Sequence, residues 1–131
     1  PTHNYEAMLE VAVHEFVHCV SLRLIAETGA NPREMRWLFE GIALFEAGQR
    51  HDPKRFHFMQ GGNYPRFMDT QDDEVIYGLG YIIVEFIVET WGMETVRDLL
   101  LRQGDIKQVL NLTDDEFYEG WYEFVRQRYL D

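Results

Sequence analysis

Along nearly the whole chain the apolar residues recur three and four positions apart, the spacing that lays one stripe along an α-helix. No stretch alternates convincingly as a half-buried strand would, so the expected fold class is all-α. A first helix is expected from Tyr5 to Glu27, with Gly29 as its stop signal. "NPRE" then reads as a helix start: Asn31 caps, Pro32 takes the first helical position and Glu34 reaches back in a capping box. That second helix continues through "MRWLFEGIALFEA" to Gly48. Residues 49–71 hold two prolines and a Gly61-Gly62 pair, and read as a loop region with at most one short helix. A third helix is expected from about Asp72 to Trp91, ending at Gly92, and a fourth from Met93 to Gln103, stopped by Gly104. "DIKQVLN" allows a turn or two, and "TDDE" at 113–116 is a second capping box, opening the last helix.

A chain of 131 residues with 46% hydrophobic content can bury most of its apolar surface, which predicts a single domain over residues 1–131. Its 23 acids against 12 bases leave a net charge of −11 and no basic stripe. Phosphate neutralisation supplies most nucleic-acid affinity, so that class of partner is excluded; a neutral or basic partner, such as a peptide or protein, is expected. No apolar run reaches the length of a transmembrane segment. The lone cysteine, Cys19, rules out an internal disulfide and reads as a small buried hydrophobe. The chain opens on Pro1 without a signal-like stretch and is read as a processed or excised piece, from which a targeting segment could have been removed.

The stretch that raises a question is "VAVHEFVHCV", residues 11 to 20, where two histidines and a glutamate interrupt an apolar run. A buried polar group without a partner costs about 1–3 kcal/mol, so something must satisfy these three. His14 and His18 are four apart and share one helix face; Glu15 lies about 100° round from it. Two imidazoles at this spacing can bind one Zn²⁺, with Glu15 placed to reach a water rather than the ion. A catalytic zinc site takes three protein ligands and keeps one position open. Glu40, in "WLFEGIALF", is a carboxylate among apolar neighbours and is the candidate third ligand. A pairing with Arg36, one turn earlier, is the plainer alternative for it. Gly41, mid-helix, costs about 1 kcal/mol relative to Ala and makes sense where two helix backbones approach closely.

"HEFVH" followed by "WLFEGIALFEAG" resembles the gluzincin metallopeptidases of the peptidase MA group. Their pattern is H-E-x-x-H and then W-L-x-E-G-x-A; here His14, Glu15 and His18 match the first element, and Trp37, Leu38, Glu40, Gly41 and Ala43 the second. "YGLGYIIVEFIVETWGMETVRDLL" and "LTDDEFYEGWYEFVRQRYL" also look like that family's C-terminal half, so the resemblance runs from about residue 8 onward. It implies a mostly helical catalytic domain of zincin type. The family's small N-terminal β-sheet is expected to be absent, as in a truncated or minimal member, because only Pro1 to Asn4 precede the first helix. The resemblance further implies that His14, His18 and Glu40 hold Zn²⁺, while Glu15 takes the proton of the attacking water and passes it to the leaving amine. A Tyr or His often adds a donor to the oxyanion; Tyr77 and Tyr81 share a helix face, and Tyr77, nearer the helix start, is the preferred candidate. The implied function is a zinc-dependent peptidase. The alternative is an inactive zinc-binding module that holds a peptide or protein partner.

The remaining residues read more plainly. His51 and His57 are expected at the surface, with substrate orientation conceivable for His57. Gly61 to Pro65 could form a mobile cleft loop, whereas Trp91, Trp121, Phe86 and Phe124 read as core. The acids at 72–74 and 114–116 read as capping and solvated surface.

Overall fold

A computed structural model describes residues 2–130, with side chains from residue 5 onward. Among the described residues there are helices and turns but no strand, and the all-α expectation is met. The helices are α1 (Thr2–Ile25), α2 (Arg36–Glu46), α3 (Asp73–Trp91), α4 (Met93–Leu101), α5 (Ile106–Leu110) and α6 (Asp114–Val125), the last continued by a π-turn, Arg126–Leu130.

The architecture is organised around α2 and α3. Every residue of α2 from Trp37 to Leu44 is buried, because α1 covers one side and α3 the other. The two central helices meet glycine to glycine. A Cβ on Gly41 would lie 2.9 Å from both the Gly80 carbonyl oxygen and Val84 Cγ2, and one on Gly80 would lie 3.0 Å from Gly41 Cα. The mid-helix glycine therefore has the reason expected of it. On the other flank of α3, the α6 residues Phe117, Tyr118 and Trp121 close the core against Phe67, with Phe67–Trp121 ring centroids 4.9 Å apart. The Tyr118 hydroxyl accepts the Met68 N–H at 3.0 Å, and burial pushes its phenol up to about 12.

Several expectations are corrected. The second helix does not begin at Pro32: Pro32–Met35 is a separate 3-10 turn, and Met35 (φ −135°, ψ 44°) breaks it from α2. Asn31 caps that turn by accepting the Arg33 N–H at 3.0 Å, and the Glu34 side chain does not close a box. Residues 49–71 are not mere loop; they hold three 3-10 turns and supply Pro53, Met59 and Phe67 to the interior. The first helix is no core helix. It packs on α2 through a narrow stripe that includes His14, Ser21 and Ile25, while Phe16 is 67% and Met8 70% exposed. Cys19 lies off that stripe and is exposed, not buried. Trp91 is at the edge, 36% exposed, packed edge-on to Phe86. No single described helix is long and apolar enough to cross a membrane.

The capping box of α6 forms as read: Glu116 accepts the Thr113 N–H at 2.9 Å, and the Thr113 hydroxyl accepts the Glu116 N–H at 3.1 Å. The bond from the Thr113 backbone holds the Glu116 carboxyl below the usual range. Its contribution is thus full at neutral pH and fades as pH falls through that lowered value. Thr113→Ala is expected to cost about 1 kcal/mol, read as a lower urea midpoint with an unchanged slope.

Candidate metal centre

The cluster is assembled by two helices and the turn that ends the second. On α1, the four-residue spacing stacks the His14 and His18 rings edge to face, with centroids 4.6 Å apart. On α2, Glu40 lies on the side facing α1, about a third of a turn from Gly41, which faces α3. The expected set is brought together: His14 Nε2 lies 3.1 Å and His18 Nε2 2.7 Å from the same oxygen, Glu40 Oε1. His14 is 8% and Glu40 9% exposed, so a carboxylate stands in a largely dry setting with only the two imidazoles against it. The plainer pairing of Glu40 with Arg36 does not occur. Arg36 turns away to Asp73, at 2.7 Å, and to the Gln71 carbonyl, at 3.0 Å.

Two residues that sequence reasoning missed hold the rings in place. His18 stacks on Phe39, with centroids 4.4 Å apart and planes 17° from parallel. The His14 Nδ1–H donates to Gln49 Oε1 at 2.7 Å. Gln49 reaches that position because Gly48 (φ 71°) reverses the chain after α2: Gly48 N–H bonds Phe45 O, and Gln49 N–H bonds Leu44 O at 2.9 Å. These are the paired bonds of a Schellman motif, which turns the next side chain back along the helix. The glycine stop was visible in the sequence; that its successor would bond a histidine 35 positions earlier was not.

The Gln49 bond bears on what the cluster can do. A neutral imidazole that donates through Nδ1 carries a lone pair on Nε2. His14 then presents a lone pair, not a proton, to Glu40 Oε1, unless the ring holds a second proton. Two ring nitrogens and a carboxylate oxygen converging in this way suit a shared cation, and the Nδ1–H···O bond matches the outer-shell contact that orients ligating histidines. All three donor atoms lie within 4.8 Å of one another, so His14, His18 and Glu40 could hold a metal ion. An ion bound about 2.0–2.1 Å from each donor would hold the donors about 3.3–3.4 Å apart, close to the 3.1 Å and 2.7 Å that separate the two nitrogens from Glu40 Oε1. His18 Nδ1 is buried without a partner, so no hydrogen bond on that side orients the ring, which stacks on Phe39. Gln49→Ala is expected to lower metal affinity about 10–100-fold, measured by chelator competition.

The other candidates are placed as follows. Glu15 is exposed, on α1 beside the histidine stripe. Tyr77 is 37% exposed, its ring 5.8 Å beneath the Arg36 guanidinium; burial raises its phenol pKa, with the Glu40 charge next in effect. Tyr81 turns elsewhere and packs on Phe45, at 5.2 Å between centroids. His51 and His57 are exposed, as expected, and neither belongs to the cluster. Compared as a whole with protein families, curated proteins and solved structures, the chain matches none of them.

Proposed function

We propose that this protein is a zinc-dependent peptidase of gluzincin type, hydrolysing peptide bonds. The observation that carries the reading is the convergence of His14 Nε2, His18 Nε2 and Glu40 Oε1 on one point, with Glu15 exposed next to them on α1. Two nitrogens and one oxygen suit Zn²⁺, which with three protein ligands keeps a fourth position open and supplies Lewis acidity toward a peptide carbonyl. The buried, preassembled ligand set supports this; so does the H-E-x-x-H order, in which the acid between the histidines is left free of the ion.

The chain's own groups then divide the work. Glu15 accepts the proton of the water that attacks the carbonyl carbon, so the C–O bond forms as the carbonyl π-pair moves to oxygen. It hands that proton to the departing amine as the C–N bond breaks, and the products are a carboxylic acid and an amine. Tyr77, whose phenol pKa is raised by burial and next by the Glu40 charge, is the candidate donor to the developing oxyanion. Glu40 and the two imidazoles hold the ion, and Gln49 and Phe39 hold the imidazoles.

Glu15→Gln separates this reading from that of an inactive zinc-binding module. It is expected to reduce cleavage of a quenched peptide about 10²–10⁴-fold, the share general-base catalysis supplies, with zinc content unchanged. Wild-type protein that binds one zinc and cuts nothing would leave the partner-binding module standing instead.

A further inference from the structure

The fold leaves an open cavity of about 450 Å³ that none of His14, His18 and Glu40 lines. His51, Arg55 and Phe56 form one wall; Glu74, Tyr77 and Gly78 of α3 form the other. Both walls are tied to the cluster. Gln49, two residues before His51, holds His14, and Tyr77 lies one turn before Gly80, which abuts Gly41, the neighbour of Glu40. The floor is closely fitted: a Cβ on Gly78 would lie 2.7 Å from Phe56 Cζ, and the Phe56 ring is itself stacked on Phe58 at 5.1 Å.

The charges facing this space differ in what they already bond. Arg36, which lies over the Tyr77 ring and does not line the cavity, is occupied by Asp73 and the Gln71 carbonyl. Arg55 and His51 make no hydrogen bond or ion pair with any described side chain. Glu74 has no ion-pair partner either, but it stands in the first turn of α3, where the helix dipole stabilises an acid in water. Arg55 has no such support. Its planar fork of donors matches a carboxylate in two-pronged geometry, and the Phe56 ring at the floor offers an apolar face to the carbons leading up to that carboxylate. With a net charge of −11, the rest of the molecule offers acidic peptides little attraction, so any preference for them must be local.

We propose that this cavity is a peptide subsite in which Arg55 receives a carboxylate, giving the site a preference for an acidic group near the bond presented to the metal. The inference rests on the zinc-peptidase reading for its purpose, though not for its chemistry. The carboxylate has two sources, an Asp or Glu side chain or the free C-terminus of the peptide, and the test separates them.

The test is peptide binding by fluorescence anisotropy to the Glu15→Gln protein, incubated with Zn²⁺, so that turnover does not intervene. Four labelled peptides are compared, with Glu or Gln at one position and with a free or an amidated C-terminus. At least one acid is expected to bind about 10-fold or more tightly than its neutral counterpart, the size of a charge-assisted pair. The Glu/Gln contrast reports a side-chain carboxylate, and the free/amide contrast a terminal one. Arg55→Gln should bring that ratio to about one, Arg55→Lys should keep part of it, and Glu74→Gln should raise it. Equal affinity for acid and amide, or no binding of any of the four, overturns the proposal, as does a preference that survives Arg55→Gln. Zinc content measured on the same samples keeps the two claims apart. Acid preference without zinc binding sinks the peptidase reading alone, and zinc binding in these samples, with cleavage by the wild-type protein but no acid preference, sinks only the subsite.

Discussion

Replacing Glu40 with alanine is expected to weaken zinc binding by on the order of 10²–10³-fold, more than the loss of Gln49. Four-ligand structural zinc sites are worth about 10–16 kcal/mol, so one ligand of three or four accounts for a few kcal/mol, or two to three powers of ten. The loss is specific to the metal-bound state. Without metal, Glu40 is a carboxylate 9% exposed with only His14 and His18 against it, a setting where desolvation offsets much of what the contacts return. The prediction is therefore a split. The rise in Tm on adding Zn²⁺ should vanish in Glu40→Ala, while the Tm of the metal-free protein should move far less. Glu40→Gln, which keeps the shape and removes the charge, should lie closer to the alanine variant than to wild type. An undiminished zinc-dependent Tm rise in Glu40→Ala would remove the residue from the ligand set.

The second large effect lies one residue away and has nothing to do with charge. Gly41→Leu should destabilise the protein by about 3 kcal/mol or more, and even Gly41→Ala should be destabilising. Helix propensity alone argues the reverse, since alanine is better than glycine in a helix interior by about 1 kcal/mol. Space decides the sign. The new Cβ would meet the Gly80 carbonyl and Val84 Cγ2, each at 2.9 Å, and the first of these is backbone that cannot swing aside. Relief requires α2 and α3 to part, which shifts Glu40 against the histidines on α1. Urea unfolding would therefore be expected to show a lower midpoint, and chelator competition weaker zinc binding, in the same variant. A Gly41→Ala protein more stable than wild type would show that the crossing is looser than described.

What could be read from the sequence was what residue type and spacing dictate on their own. The shared face of His14 and His18 follows from the helical period, and Glu40 stood out because an acid among Trp37, Ala43 and Leu44 needs a reason. The same logic found the close helix crossing at Gly41 and the reciprocal cap of Thr113 and Glu116. Features decided by distant contacts were not legible. Arg36 had two acids in reach, Glu40 one turn away and Asp73 37 positions on, and took the distant one. Gln49 is an ordinary residue after a glycine until the Schellman turn folds it onto His14. Phe67 lies in a stretch whose prolines and glycines suggest loop, yet it is fully buried. The first helix misled for another reason: its apolar residues run all the way round, so periodicity could not say which of them meet α2, and Phe16 and Met8 are left exposed.

X-ray absorption at the zinc edge of zinc-loaded protein tests the central claim most directly, because it reads ligand type and distance at the ion itself. The account predicts one zinc per chain with two imidazole nitrogens and oxygen donors, all at about 2.0–2.2 Å, and no sulfur. A sulfur shell at about 2.3 Å, which only Cys19 or a methionine could supply, or protein that retains no zinc, would contradict it.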